Sequence, residues 1–295
     1  MVSPPKYTLS YIDSLPKFDR SVSVLCWAYN EQLLIEQFLI RLHELLDRYV
    51  EDFEIVVVDD GSTDDTHAII ERLIPRYPGI RLLANGKNMN IAYSFKRAIN
   101  AASKDYVFWQ TIDWSYNIQC LRMFLELLKS CDIVSGIRRA PVKVRSRIVK
   151  PIAGSLKLLG IKELTKRSDT IPKAIVSILN YMLVRLLFNL PLSDYQNLGF
   201  YPAKLIKSIT IEANSSFGTP ELLLKSHWKG YSIVEVPISF VPRQAGEAKG
   251  TRLKALSASM QDIIKFWFKW IVQGKRDFVR KGAIIRLKPS DWEIL

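Results

Sequence analysis

Short apolar runs separated by amphipathic stretches constrain this chain more than any other feature. Ser21 to Trp27, Phe53 to Val58, Ile80 to Ala84, Tyr106 to Gln110 and Asp132 to Ser135 are runs of strand length. Between them, Glu31 to Tyr49, Asp65 to Tyr77, Ile91 to Ala102 and Asn117 to Lys129 place apolar residues three and four apart, the period of a helix with one buried face. Ile55-Val56-Val57-Val58 is apolar throughout, as a parallel strand covered on both faces must be. This alternation predicts an α/β fold: a mostly parallel, Rossmann-like sheet with helices on both faces.

The alternation stops near residue 138. From Arg138 to Lys173 there are eleven basic residues and two acidic ones, mixed with Pro151, Gly154, Gly160 and Pro172. The pattern predicts a basic connector over 138–172, then a long helix from Lys173 to Asn189 that ends before Pro191. A loop is expected through Asp194 to Phe200, short helices at Ala203 to Ser208 and Pro220 to Trp228, and a strand from Tyr231 to Phe240. Thr251 to Gly274 is amphipathic, with Phe266, Trp267, Phe268 and Trp270 interleaved with Lys265 and Lys269. We therefore expect an extension over 1–20, one catalytic domain over 21–250 that includes the basic connector over 138–172, and an amphipathic segment over 251–295 that lies on a membrane surface or packs on protein.

The net charge of +13 is concentrated in the connector and points to an anionic partner: phosphate groups, nucleic acid or an acidic membrane surface. Cys26, Cys120 and Cys131 are odd in number and lack metal-ligand spacing, so they read as reduced core thiols of a cytosolic protein. The first twenty residues lack a secretory signal pattern. No run reaches the roughly 20 apolar residues that span a bilayer; membrane contact, if made, is peripheral. His43, His67 and His227 fall on helical patterns and receive no role.

In an open parallel sheet, ligands bind beyond the carboxyl ends of the strands. Three of those ends carry acids: Ala28-Tyr29-Asn30-Glu31, Asp59-Asp60-Gly61-Ser62-Thr63-Asp64, and Thr111-Ile112-Asp113-Trp114-Ser115. A carboxylate accepts hydrogen bonds from a nucleotide base edge or ribose hydroxyls, and it can ligate a hard divalent cation. Gly61 permits a tight turn, and Ser62 with Asp65 is placed to cap the next helix.

With these motifs the chain resembles the family-2 inverting glycosyltransferases of GT-A fold, and among them the polyprenyl-phosphate sugar synthases. The resemblance runs from about Ser21 to Lys249. It also includes Asn88 with its following helix, Gly136-Ile137-Arg138, Ser177 to Asn180, Asp194 with Gly199-Phe200, Glu221, and Arg243-x-x-Gly246-x-x-Lys249.

The resemblance implies that Ala28, Tyr29, Glu31 and Asp60 line the pocket for base and ribose of a UDP- or GDP-sugar. It implies that Asp113, the second acid of the family's Asp-x-Asp motif, holds Mg²⁺ or Mn²⁺, although Thr111 replaces the first acid and weakens that site. Asn90 stands where the family usually has glycine. Arg243 and Lys249 correspond to the pyrophosphate-binding segment, and Arg138 and Lys173 to the contacts of an acceptor phosphate. Asp194 falls at an acidic acceptor-loop position and is the candidate base if the acceptor is a hydroxyl.

The expected activity is hexose transfer, with inversion, from a nucleotide sugar to polyprenyl phosphate at the cytosolic membrane face. Attachment is by the tail itself or by a membrane protein partner, and no nucleic-acid partner is expected. Two alternatives stand beside it: transfer to a glycan hydroxyl, and a non-catalytic protein that binds nucleotide or nucleic acid.

Overall fold

The computed structural model describes residues 9–119, 121–139, 171–195, 198–239 and 253–287. Eight strands form one sheet: β1 (Val22–Ala28), β2 (Phe53–Asp59), β3 (Ile80–Ala84), β4 (Tyr106–Trp109), β5 (Ile133–Arg139), β6 (Gly199–Pro202), β7 (Ile233–Ser239) and β8 (Ile284–Arg286). Their order is β3-β2-β1-β4-β6-β5-β7-β8. The expected α/β class is present, and the five expected amino-terminal strands fall within a few residues of their observed spans.

Helices α1 (Leu9–Ser14), α2 (Ile35–Tyr49), α3 (Thr66–Leu73), α4 (Ile91–Ala101) and α5 (Leu121–Leu127) accompany the first five strands. The apolar period on α2 buries Ile35, Phe38, Leu39, Leu42 and Leu46 against the sheet. β1 and β2 pair in parallel from Val22↔Phe53 to Ala28↔Asp59, and nearly every side chain on them is buried. Cys26 and Cys131 are buried free thiols; burial pushes Cys131 up to about 12 and Cys26 higher still. Cys120 lies outside the described residues.

Helices α6 (Ile171–Phe188), α7 (Ala203–Ser208) and α8 (Gly218–Trp228) follow. β6 occupies part of the span expected to be loop. Four residues, Gly199-Phe200-Tyr201-Pro202, are too few to show a period, and Pro202 at the end of the strand can do without an N–H. β6 runs antiparallel to both of its neighbours, β4 and β5. Phe200 stacks on Phe108 with ring centroids 4.6 Å apart, and Tyr201 on Trp109 at 5.6 Å, so this short strand joins the two halves of the sheet through aromatic packing.

Helix α9 (Leu253–Trp267) continues as a π-turn, Phe268–Val272. Its inner face buries Ile263, Phe266 and Trp270, which pack against Phe217, Phe188 and Trp228. Met260, Ile264, Phe268 and Val272, each four residues from the last, are 43 to 54% exposed on the outer face.

Two antiparallel pairings in succession make β5 parallel to β4, and β7 is parallel to β5. The carboxyl ends of β1, β2, β4, β5 and β7 therefore lie along one edge of the sheet. The segment that leads into β6 arrives at that same edge, because β6 runs the opposite way.

Candidate functional site

This edge gathers most of the candidate residues. Tyr29 and Glu31 follow β1, Asp60 follows β2, and Asp113 lies beyond β4. Arg138 is near the end of β5, paired across the ladder with Ile238. Asp194 lies on the segment entering β6. Lys173 is in the first turn of α6. The side chains of Arg138 and Lys173, and the whole of Arg243 and Lys249, lie outside the described residues.

Asp60 is the most tightly held of these acids. Its backbone N–H donates to the carbonyl of Ala28 at 2.8 Å, which ties the end of β2 to the end of β1. Its Oδ1 accepts three hydrogen bonds: from Asn85 Nδ2 (2.6 Å), Ser94 Oγ (2.9 Å) and the Met89 backbone N–H (3.0 Å). Arg97 donates to Asn85 Oδ1, so the Asn85 amide presents its nitrogen to Asp60. Oδ2 receives no hydrogen bond among the described residues, and the residue is 5% exposed. One oxygen is thus anchored while the other keeps its capacity to accept a hydrogen bond.

The loops after β1 and β2 are interlocked by side chains. Asn30, at φ 52°, accepts at Oδ1 from Thr63 N (2.8 Å), and its own N–H donates to Ser62 Oγ (3.0 Å). Glu31 N donates to Thr66 Oγ1 at 2.8 Å, and Gln32 N to Asp64 Oδ2 at 3.3 Å. The expected capping by Ser62 and Asp65 is corrected here. Ser62 is occupied by Asn30, Asp65 makes no side-chain cap, and Asp64 Oδ1 accepts instead from Thr66 N at 3.0 Å. Burial would raise the Asp64 pKa, but the hydrogen bonds from Thr66 and Gln32 outweigh it, and the carboxyl lies below its ordinary value.

Gly61, at φ 74°, passes so close to the next loop that a Cβ would sit 2.4 Å from the Lys87 carbonyl carbon. Asn90, where the resembled family has glycine, also takes a positive φ of 73°, and its Oδ1 accepts from Ala92 N to cap α4. The backbone conformation that glycine would supply is therefore retained by asparagine.

Beyond β4, Asp113 Oδ1 accepts from Ser115 N at 3.1 Å, closing an Asx turn. Thr111 Oγ1 is buried and has no hydrogen-bond partner among the described residues. Among the described residues no cluster of three or more His, Cys, Asp or Glu could hold a metal ion by itself. A single carboxylate at Asp113 fits an ion that draws its other ligands from phosphate oxygens and water.

The carboxylates on the other side of β6 are internally engaged. Glu221 is fully buried; Oε1 accepts from Glu212 N (2.9 Å) and lies 2.6 Å from Lys225 Nζ, while Oε2 accepts from Ala213 N (2.8 Å). Glu212 pairs with Lys225 at 3.0 Å and with Lys269 of the π-turn. Asp194 is 3% exposed. Glu235 receives Ser193 N and Arg286 Nε, yet burial wins and its pKa is raised.

Comparison with known proteins decides the family. The model for glycosyl transferase family 2 matches residues 23–185, more than half of the chain. The chain belongs to this family. The glycosyltransferase AglD of Haloferax volcanii is 25% identical over 260 residues, covering 85% of this chain. The chain spans only 38% of that protein's length. A dolichol-phosphate mannosyltransferase of Pyrococcus furiosus is 24% identical, over 90% of this chain and 68% of its own. Among solved structures, glucosyl-3-phosphoglycerate synthase of Mycobacterium tuberculosis, in complex with Mn²⁺, UDP and phosphoglyceric acid, superposes with a TM-score of 0.55 at 16% identity, covering 91% of this chain and 84% of that one. A mannosyltransferase of Pyrobaculum calidifontis, in complex with GDP-Man and Mn²⁺, gives 0.53 at 17%, covering 90% and 74%. These likenesses show the fold, that of the GT-A glycosyltransferases.

Three residues of the site were not foreseen from sequence. Asn85 is the first residue after β3, and reading that strand end as the others were read would have found it. Ser94 lies on the inner face of α4. His67, given no role from sequence, places Nδ1 2.9 Å from Asp59 Oδ2 and so braces the same turn.

Proposed function

We propose that the chain transfers a hexose from a nucleotide sugar to polyprenyl phosphate, with inversion. The observation that carries the donor half of this reading is Asp60: Oδ1 anchored by three donors, Oδ2 open, at the end of β2 where an open sheet binds ligands. In this reading Asp60 accepts from the base, with Ala28, Tyr29 and Glu31 beside it. Asp113 would hold Mg²⁺ or Mn²⁺, which when bound would offset charge on the leaving pyrophosphate. Arg243 and Lys249 add positive charge to the same leaving group.

The acceptor half rests on the chemistry of the nucleophile. A glycan hydroxyl needs a general base, whereas a phosphate monoester, whose second ionisation lies near pH 6, is already an anion. Glu221 has both oxygens bonded, and Asp194 is buried, so neither offers an exposed base. Positive charge at Arg138 and Lys173 suits an anionic acceptor. The names of the dolichol-phosphate mannosyltransferase of Pyrococcus furiosus and of the undecaprenyl-phosphate mannosyltransferase of Micrococcus luteus, 25% identical over 75% of this chain and 84% of its own, favour the same acceptor class.

A polyprenyl acceptor places the enzyme at a membrane surface. No helix among the described residues is long and apolar enough to cross a membrane. The outward stripe Met260, Ile264, Phe268 and Val272, with Lys265, Lys275 and Arg276 near it, suits a helix lying in the interface.

The test is transfer assayed with both acceptor types in wild type and Asp194→Asn, with melting temperature checked for each. We expect transfer to polyprenyl phosphate, reduced severalfold at most by the substitution. Transfer to a glycan hydroxyl alone, abolished in Asp194→Asn, would replace this reading with the alternative.

A further inference from the structure

Asp113 sits in a loop fastened by hydrogen bonds. Trp114 N donates to the Thr111 carbonyl at 3.0 Å, and Ser115 N to Asp113 Oδ1 at 3.1 Å. The side chain of Gln110, 1% exposed, closes the loop: its Nε2 donates to the Tyr116 carbonyl at 2.7 Å, and its Oε1 accepts from Thr111 N at 3.1 Å. The Gln110 N–H donates to the Leu25 carbonyl of β1 at 3.1 Å, which ties the loop to the sheet.

Within this loop Trp114 has φ 52°, a left-handed conformation that crowds the Cβ of any residue but glycine and that bulky side chains rarely adopt. Such a conformation persists where the surroundings over-determine it. For Trp114 those surroundings come from α2. Phe38, buried, meets the indole edge to face with centroids 5.8 Å apart, and Arg41 Cζ stands over the ring, 4.3 Å from its centroid. Arg41 is exposed and makes no ion pair among the described residues, so the ring contact is the feature its guanidinium contributes.

The same helix begins at the donor pocket. Leu34 N and Ile35 N donate to the Glu31 carbonyl at 2.9 and 3.0 Å, and Phe38 N to the Leu34 carbonyl at 3.0 Å. Phe38 and Arg41 follow within the next two turns. One helix thus joins the loop of Tyr29 and Glu31 to the loop of Asp113.

A site with a single carboxylate depends on that carboxylate being held in place before a cation arrives. We propose that Trp114, clamped by Phe38 and Arg41, is a positioning residue that holds the Asp113 carboxylate for Mg²⁺ or Mn²⁺. The strain at Trp114 and the ring contacts that hold it are of similar size, so removing one contact loosens the turn. The proposal rests on the donor reading and on Asp113 as metal ligand; it adds how one acid can serve where Thr111 replaces the other.

Calorimetric titration of UDP and GDP, each with and without Mn²⁺, into wild type, Arg41→Gln, Arg41→Lys, Trp114→Gly and Asp113→Asn tests it. The readout is the factor by which Mn²⁺ strengthens binding of the preferred nucleotide. Asp113→Asn should bring that factor close to one. Arg41→Gln should keep the melting temperature of wild type and its affinity without Mn²⁺, yet lower the factor about two- to fivefold, the worth of one exposed cation–π contact. Arg41→Lys retains a cation over the ring and should retain most of the factor. Trp114→Gly relieves the backbone but removes the clamp, and should lower the factor further. A factor unchanged in either Arg41→Gln or Trp114→Gly, or a loss of affinity equal with and without Mn²⁺, would overturn the positioning role and leave the donor reading standing. A wild type that binds nucleotide with no response to Mn²⁺ would overturn the metal reading of Asp113 and this proposal, but not the donor reading. Absence of all nucleotide binding in wild type would overturn the donor reading and this proposal with it.

Discussion

The turn after β2 and the segments that follow β6 in the chain use carboxylates in opposite ways. After β2, Asp59 and Asp60 are braced by side-chain and backbone donors, and one oxygen of Asp60 accepts no hydrogen bond among the described residues. After β6 in the chain, Glu212, Glu221 and Glu235 are consumed as struts between the 210–214 loop, α8, the π-turn and β8. The turn after β2 uses its acids to hold a strand end in shape, and the segments after β6 use theirs to hold a wall in place. Substitution of Asp60 should therefore act on binding, and substitution of the carboxylates after β6 on stability.

Glu221→Ala should show the largest effect. It leaves the Glu212 and Ala213 backbone N–H groups without acceptors in the interior and takes from Lys225 one of its two carboxylate partners, a loss of about 2–5 kcal/mol in sum. Denaturant unfolding measures it; a loss under about 1 kcal/mol would mean that the wall holds without its strut. Gly61→Ala comes next. A Cβ there meets the Lys87 backbone in a left-handed conformation, a strain of about 1–3 kcal/mol. It should lower the melting temperature and weaken nucleotide binding together, because Gly61 follows Asp60 directly.

Acid titration separates β2 from β7. Burial would raise the Glu54 pKa, but hydrogen bonds from Ser23, Ser103 and Arg81 outweigh it and hold the carboxyl below its ordinary 4.5. Its contribution is therefore present above pH 4.5 and is lost as pH falls through the depressed value. Glu235 has the opposite sign: its raised pKa makes ionisation unfavourable, so stability falls as pH rises from 4.5 through the raised value. Hydrogen exchange should show β1 and β2 loosening below pH 4.5, and β7 tightening as pH falls toward that point. Glu235→Gln should flatten the second trend and leave the first. The smallest effect on the fold is expected from Phe268→Asp, an exposed position worth about ±0.5 kcal/mol. It should nonetheless weaken binding to anionic vesicles severalfold, and unchanged vesicle binding would remove the stripe from the membrane reading.

The same division governs how much could be read from sequence. In the amino-terminal half, local periodicity and strand-end motifs agree, so the sheet class, the order of elements and the positions of Asp60 and Asp113 were legible. Beyond residue 138 the relevant contacts are distant in sequence. Glu221 binds the 212–213 backbone, Lys269 reaches back to Glu212, and β6 is too short to announce itself. Asn85 and Ser94 were missed because an uncharged partner of Asp60 carries no motif.

The most direct test of the donor edge is calorimetric titration of UDP and GDP into wild type and Asp60→Asn. The amide keeps an oxygen for the Asn85, Ser94 and Met89 donors but puts an N–H₂ where the base is to donate. We expect one nucleotide to bind wild type at least tenfold more tightly than the variant, on the order of 1.5–3 kcal/mol for a charge-assisted bond, with a closely similar melting temperature. Equal affinity in the two proteins, or no nucleotide binding in either, would contradict it.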